Sequence, residues 1–345
     1  MKVGFVAPLA TALVNGGVRT QVLKTAQALR KLGVHIEFIS PLTDLPDVDL
    51  IHVFSAGAET LSFIETAKKN GYKIVLSSVF YSTKSASTIA KIIAGEKIIG
   101  KVGSGIRSEY SIKANACNAA DLVLPNTRAE ATLLTKGFGV SEKYIQVIPN
   151  GVETHFKDAE PDLFIEKYGI QDFVLFAGQA GAGRKNVLSL MKAAPEIDSE
   201  IVIIGDLSDD IYSNQCRELG HKTGNVRFIN SLPHESDLLA SAYAASKVFV
   251  LPSLFETPGI AAMEAALTKS NLAITQIGGT KEYFEDHAEY LDPKDITSIA
   301  KAVNKALQKP SNDHLSKHIL SNFTWELVAD KTLSAYKKLM DQNPV

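Results

Sequence analysis

Leu251-Pro252-Ser253-Leu254-Phe255-Glu256-Thr257-Pro258-Gly259-Ile260-Ala261-Ala262-Met263-Glu264-Ala265-Ala266 decides the reading of this 345-residue chain. The apolar run Val248–Leu251 leading into it has the length and composition of a buried strand. Pro258-Gly259 then marks a turn. Thr257 suits an N-cap with Pro258 at the first helical position, which predicts a helix from about Pro258 to Leu267. The amides of Gly259 and Ile260 would be unused donors at the positive end of its dipole, a site suited to a diphosphate.

The two glutamates are eight positions apart. On one helix they would lie about 80° apart in azimuth and about 12 Å apart along the axis. That exceeds the roughly 5–9.5 Å of a glycosidase carboxylate pair. The Pro-Gly break instead leaves Glu256 in a loop and Glu264 inside the helix, where they suit different parts of one long ligand.

Outward from this stretch, apolar strands and helical segments alternate. Strands are expected at Val3–Ala7, Val34–Ser40, Asp49–Phe54, Tyr72–Val79, Leu122–Pro125 and Tyr144–Ile148. Helices are expected over Gly17–Leu32, around Ala58–Lys69 and at Arg128–Lys136, with residues 84–118 helical in parts. The pattern restarts with strands at Phe173–Ala177, Ile201–Ile204, Val226–Ile229, Val248–Leu251, Ala273–Thr275 and Ala288–Leu291. Amphipathic helices follow at Asp295–Leu307 and Glu326–Leu339. Such alternation argues for parallel sheets covered on both faces. Two doubly wound domains are expected, joined near Pro149–Asp158, with ligands at the carboxyl ends of the strands.

Glu256-x7-Glu264 in its Pro-Ser-Leu-Phe-Glu-Thr-Pro-Gly-Ile context resembles the signature of family-4 retaining glycosyltransferases. Three other segments agree. Val147-Ile-Pro-Asn-Gly-Val-Glu153, followed by Phe156, resembles the family's hinge. Gly16-Gly17 resembles its N-domain glycine pair, and Phe323-Thr-Trp325-Glu326 resembles the element that returns to the first domain. The resemblance implies a GT-B fold: two Rossmann-like α/β domains facing across a cleft. The first is expected at 1–155 and the second, holding the nucleotide sugar, at 156–323. A C-terminal helix at 324–342 is expected to return to the first.

The resemblance further implies that Glu264 binds ribose hydroxyls and that Glu256 lies near the transferred sugar. Gly259 and Ile260, with Thr257 beside them, would hold the diphosphate, and Lys185 would neutralise phosphate charge. Gly17 would lie where the first domain approaches the donor or acceptor. The reaction implied is transfer of a sugar from a nucleotide-diphosphate sugar to a hydroxyl of a glycan, glycolipid or protein-linked acceptor, with retention and without a metal or other cofactor. Two departures stand out. The usual arginine after the first-strand glycine is Gln179, and a neutral amide does not replace a guanidinium against phosphate. Arg184, beside Lys185, is the expected substitute. The loop after Tyr72–Val79 also lacks the family's frequent histidine, and His52 reads either as a strand-end functional residue or as a satisfied core residue. These departures motivate an alternative: a degenerate, non-catalytic partner of another glycosyltransferase.

Two patterns are set aside. Asp206-Leu-Ser-Asp209-Asp210 follows a strand and precedes a helix, so capping explains it better than a cation site. Gly178-x-x-Gly181-x-Gly183 has the wrong spacing for a dinucleotide fingerprint.

Bulk properties bound the partners. The formal net charge of −2 gives no pull toward nucleic acid. Residues 1–155 hold 17 Lys+Arg against 12 Asp+Glu, a charge of +5, and the remainder carries −7. Lys84, Lys91, Lys97, Lys101, Arg107 and Lys113 punctuate an apolar stretch broken by Gly100, Gly103 and Gly105. Such a stretch suits peripheral contact with an anionic membrane carrying a lipid-linked acceptor. Cys117 and Cys216 stand far apart with no metal-ligand spacing, which fits a reducing cytoplasm.

Overall fold

The computed structural model describes residues 1–13, 16–40, 42, 44–99 and 107–341. These divide into two compact units, one of Met1–Gly151 with Trp325–Val345 and one of Val152–Thr324.

The first unit runs β1 (Lys2–Val6), α1 (Gly17–Lys31), β2 (His35–Phe38), β3 (Leu50–Phe54), α2 (Ala58–Lys69), β4 (Ile74–Ser77), α3 (Ala86–Ile99), α4 (Glu109–Ala119), β5 (Leu122–Val123) and α5 (Arg128–Phe138). Its strands form one sheet in the order β2-β1-β3-β4-β5, all pairs parallel. β3 and β4 are buried along their whole length, as central parallel strands with helices on both faces must be. The expected strand at Tyr144–Ile148 does not form. Glu142–Tyr144 turns as a 3-10 helix, and Ile145 makes only an isolated bridge to Val123. β5 is two residues long, so it offers too short an edge for a full ladder. Of the lysine-punctuated stretch, Gly100, Lys101, Gly103 and Gly105 lie outside the described residues.

The second unit runs α6 (Asp162–Tyr168), β6 (Phe173–Ala177), α7 (Val187–Ala193), β7 (Ile201–Ile204), α8 (Ile211–Thr223), β8 (Val226–Ile229), α9 (Asp237–Ala245), β9 (Ser246–Leu251), α10 (Ile260–Leu267), β10 (Asn271–Thr275), α11 (Thr280–Phe284), β11 (Glu289–Leu291), α12 (Ile296–Leu307) and α13 (His314–Asn322). The last helix, α14 (Trp325–Asp341), belongs to the first unit and packs on α1. The second sheet is parallel in the order β11-β10-β9-β6-β7-β8. Its centre is apolar on both faces: Phe-Val-Leu-Phe-Ala in β6 and Ile-Val-Ile-Ile in β7 are fully buried. The chain moves outward through β7 and β8, then returns to the other side of β6 with β9. The topological switch point therefore lies between β6 and β9, where loops diverge and a crevice opens.

Candidate active site

The loops after β6 and β9 leave the sheet at this switch point, and they are stitched together. Asn186 Nδ2 donates to the Pro252 carbonyl at 3.0 Å, and the Leu254 amide donates to the Arg184 carbonyl at 2.9 Å. Arg184 and Lys185 lie in the 3-10 turn Gly183–Lys185, and Glu256 lies opposite. Lys185 Nζ donates to Glu256 Oε1 at 2.6 Å, with Arg184 Nη1 3.4 Å from the same oxygen. Glu256 is buried. Burial alone would raise its carboxyl pKa, but the charges of Lys185 and Arg184 and the hydrogen bond from Lys185 override it and hold the pKa below the usual value. The side chain is thus an anion at neutral pH, beside two cations.

The backbone of Glu256 is pinned from the loop after β10. Its amide donates to the Ile277 carbonyl at 3.1 Å, and its carbonyl accepts from the Gly279 amide at 2.8 Å. Gly278 lies between, at φ +109°. A Cβ there would come within 1.9 Å of the Glu256 carbonyl oxygen, so only glycine permits this approach.

The helix after the loop begins later than its sequence predicts. Gly259, not Thr257, is the N-cap, at φ +79°, and α10 starts at Ile260. The left-handed turn at Gly259 ends the Thr-Pro segment and allows close approach: a Cβ there would lie 2.9 Å from Leu251 Cδ2. The Gly259 carbonyl accepts from Ala262 at 2.9 Å. The first amides of α10, including Ile260, therefore have no acceptor within the helix ladder.

Glu264 is buried inside α10. Tyr243 of α9 donates its hydroxyl to Oε2 at 2.8 Å, and His234 Nε2 donates to Oε1 at 2.6 Å. Burial first, and the Glu264 charge second, push the Tyr243 phenol well above its usual pKa, so it stays a neutral donor. On its other side, His234 Nδ1 lies 3.5 Å from Glu153 Oε2, and its ring meets Phe156 edge-on at 5.8 Å. A carboxylate has about four acceptor positions. His234 and Tyr243 use one on each oxygen of Glu264.

Folding thus brings together Arg184, Lys185 and Glu256, and puts Gly259, Ile260 and Glu264 along the adjoining helix. Gln179 lies in the same β6 loop, where its carbonyl accepts from the Ala182 amide at 3.0 Å. Gly17 opens α1 in the first unit. His234, Tyr243 and Glu153 were not legible as site residues. His234 carried one weak signal, a place in the loop leaving β8. The aspartates of 206–210 are occupied: Asp210 caps α8 through the Ser213 amide at 2.9 Å, and Asp206 accepts from the Ser231 amide at 2.9 Å. His52 is a core residue within β3, hydrogen-bonded to Tyr336 at 2.5 Å and Ser77 at 2.9 Å. Burial drives its pKa down to about 3, so it stays neutral.

Among the described residues, no helix is long and apolar enough to cross a membrane.

Residues 171–309 match the family model described as "Glycosyl transferases group 1". An uncharacterized glycosyltransferase of Methanocaldococcus jannaschii is 27% identical over 227 residues, covering 59% of this chain and 56% of that protein. The chain spans about half the length of the curated relatives it matches first. Sucrose-phosphate synthase from Thermosynechococcus elongatus superposes with a TM-score of 0.76 at 18% identity, covering 98% of each chain. HepE of Anabaena, crystallised with UDP-glucose, superposes with a TM-score of 0.74 at 16% identity, covering 98% of this chain and 100% of its own. These structural likenesses show a GT-B fold, and the match to the group 1 glycosyltransferase model falls on the segment that holds Lys185, Glu256 and Glu264.

Proposed function

We propose that this protein transfers a sugar from a nucleoside-diphosphate donor to an acceptor hydroxyl, with retention and without a metal. The observation that carries the reading is the Lys185–Glu256–Arg184 cluster at the switch point, beside the open amides of α10. The donor's ribose diol would occupy the two remaining acceptor positions of Glu264. Its diphosphate would lie on the Gly259 and Ile260 amides, where the helix dipole favours negative charge. Lys185 and Arg184 would stabilise the charge that grows as the sugar–oxygen bond breaks. Arg184 takes the part of the guanidinium missing at Gln179, since both cations meet one carboxylate. Glu256 holds them in place and lies nearest the sugar. Proton removal from the acceptor would fall to the leaving phosphate on the same face. HepE's complex with UDP-glucose supports a nucleotide sugar as the donor class.

The test is calorimetry with nucleoside diphosphates and their 2′-deoxy forms, followed by transfer assays in excess chelator with the product anomer read by NMR. Binding is expected to favour the ribonucleotide, and transfer is expected to proceed with retention in EDTA. An inverted product, or activity lost in EDTA and restored by Mg²⁺ or Mn²⁺, overturns the mechanism. Nucleotide binding with no transfer to any acceptor would favour the non-catalytic alternative.

A further inference from the structure

We infer that Glu285, His287 and His318 form a binding site for a zinc-like transition-metal ion, separate from the sugar-transfer site. Each contributes one donor atom, and the three atoms lie within 4.8 Å of one another. The residues come from different elements. Glu285 ends α11, His287 sits in the turn before β11, and His318 lies in the middle of α13.

The chemistry of the set points to a transition metal. Two imidazoles and one carboxylate make a borderline-soft donor set that suits Zn²⁺, Co²⁺ or Ni²⁺, whereas Mg²⁺ and Ca²⁺ prefer oxygen alone. Metal-bound histidines commonly donate their second ring nitrogen to a carbonyl or carboxylate, which fixes tautomer and orientation. His318 has that partner: its Nε2 lies 3.0 Å from the Tyr283 carbonyl oxygen. A carbonyl only accepts, so Nε2 carries the proton and Nδ1 holds the lone pair. The His287 and His318 rings lie 5.6 Å apart, with 39° between their planes.

Glu285 is held in place before any ion arrives. Its backbone adopts φ +44°, an uncommon conformation for a residue with a side chain. Its carbonyl accepts from the Tyr290 hydroxyl at 2.6 Å, and its amide donates to the Lys281 carbonyl at 3.1 Å. The carbonyl end of α11 adds a favourable dipole for a cation. Tetrahedral zinc with bonds near 2.1 Å sets its ligand atoms ~3.4 Å apart. The cluster must therefore close slightly, and the exposed side chains of Glu285 and His287 are free of core packing. Three protein ligands leave a position for water.

At the other end of the same short helix, the Gly279 amide donates to the Glu256 carbonyl. The metal would brace α11 without supplying chemistry to the donor site. Spacing along the chain does not signal this cluster, because its members meet only through packing.

The test uses the whole chain, stripped with chelator and desalted, and titrated with Zn²⁺ alone and with Mg²⁺ alone. Calorimetry should show about one equivalent of Zn²⁺ and no matching Mg²⁺ event, with a rise in melting temperature from binding to the folded state. His287→Ala and His318→Ala should each weaken Zn²⁺ binding at least about tenfold, and Glu285→Gln less. Among the 8 histidines, Zn²⁺ should shift chiefly the ring signals of His287 and His318. His287 sits in an exposed turn, so its variant tests the site even if His318→Ala disturbs α13. Absence of Zn²⁺ binding by the wild type overturns the inference. So does equal binding by the His287→Ala variant.

Discussion

Two buried carboxylates at the carboxyl edges of the two sheets, Glu130 and Glu256, have opposite surroundings. Glu130 accepts from the Ser78 hydroxyl at 2.6 Å, the Phe80 amide at 2.7 Å and the Asn126 amide at 2.8 Å. Those donors belong to the loops after β4 and β5, so Glu130 ties the backbone of the first unit together. Glu256 takes a lysine and an arginine from a facing loop. Backbone amides cannot change partners without moving the chain. Long cationic side chains can turn to an arriving anion. The same residue type under similar burial therefore braces the backbone in one unit and gathers two cationic side chains in the other.

The largest effect should fall on the bracing carboxylate. Glu130→Ala leaves three buried donors without their acceptor, at about 1–3 kcal/mol each, so unfolding in urea should show a loss of at least ~3 kcal/mol. A much smaller loss would erase the contrast. Lys185→Ala should lower transfer by about two orders of magnitude while the protein remains folded, as for loss of one preorganised charge-stabilising donor. Arg184→Ala should lose less, and Gln179→Arg should be tolerated or activating. Wild-type turnover in Lys185→Ala would sink the proposed role of the cluster.

Glu264→Ala should weaken ribonucleoside diphosphate binding by roughly 1.5–3 kcal/mol, because charged hydrogen bonds are lost. Its discrimination against the 2′-deoxy nucleotide should shrink as well, as read by calorimetry. Retained ribo-over-deoxy preference would move the ribose elsewhere.

The histidines offer a pH test. His52 has a folded pKa of about 3, against 6.5 for an unperturbed imidazole. The unfolded chain therefore binds the proton first, and stability falls as pH drops from 6.5 toward 3. The loss should reach about 2 kcal/mol near pH 5. His52→Gln should flatten this part of the stability profile, and an unchanged acid slope in that variant would show that other groups set it.

The smallest effect concerns membranes. Lys84, Lys91 and Lys97 are exposed, and Ile98 is 67% exposed on α3. Lys113 is drawn inward, pairing with Glu109 at 2.6 Å and lying over the Phe80 ring. Charge reversal at the three exposed lysines should reduce co-sedimentation with anionic vesicles and leave nucleotide binding unchanged. Wild-type binding no greater to anionic than to neutral vesicles would remove the lipid contact.

The sequence by itself determined the alternation of strands and helices, because β6, β7 and β9 are apolar on both faces and each crossover restarts the pattern. It also singled out Glu256 and Glu264, since a strand, a Pro-Gly turn and a helix in succession are local signals, whereas Lys185 came only from the family resemblance. What it missed depended on contacts across the chain. The start of α10 moved from Pro258 to Ile260 because Gly259 turns left-handed against Leu251. Lys185 meets Glu256 across 71 positions, and His234 meets Glu264 across 30, separations that no helical or strand period encodes. His52 became a neutral core residue because it is buried, with Tyr336 from the far end of the chain against its ring. Glu285, His287 and His318 likewise converge only when α13 packs near the end of α11. Local periodicity specifies which face of an element is apolar; the partner that a polar group on that element meets is settled by packing.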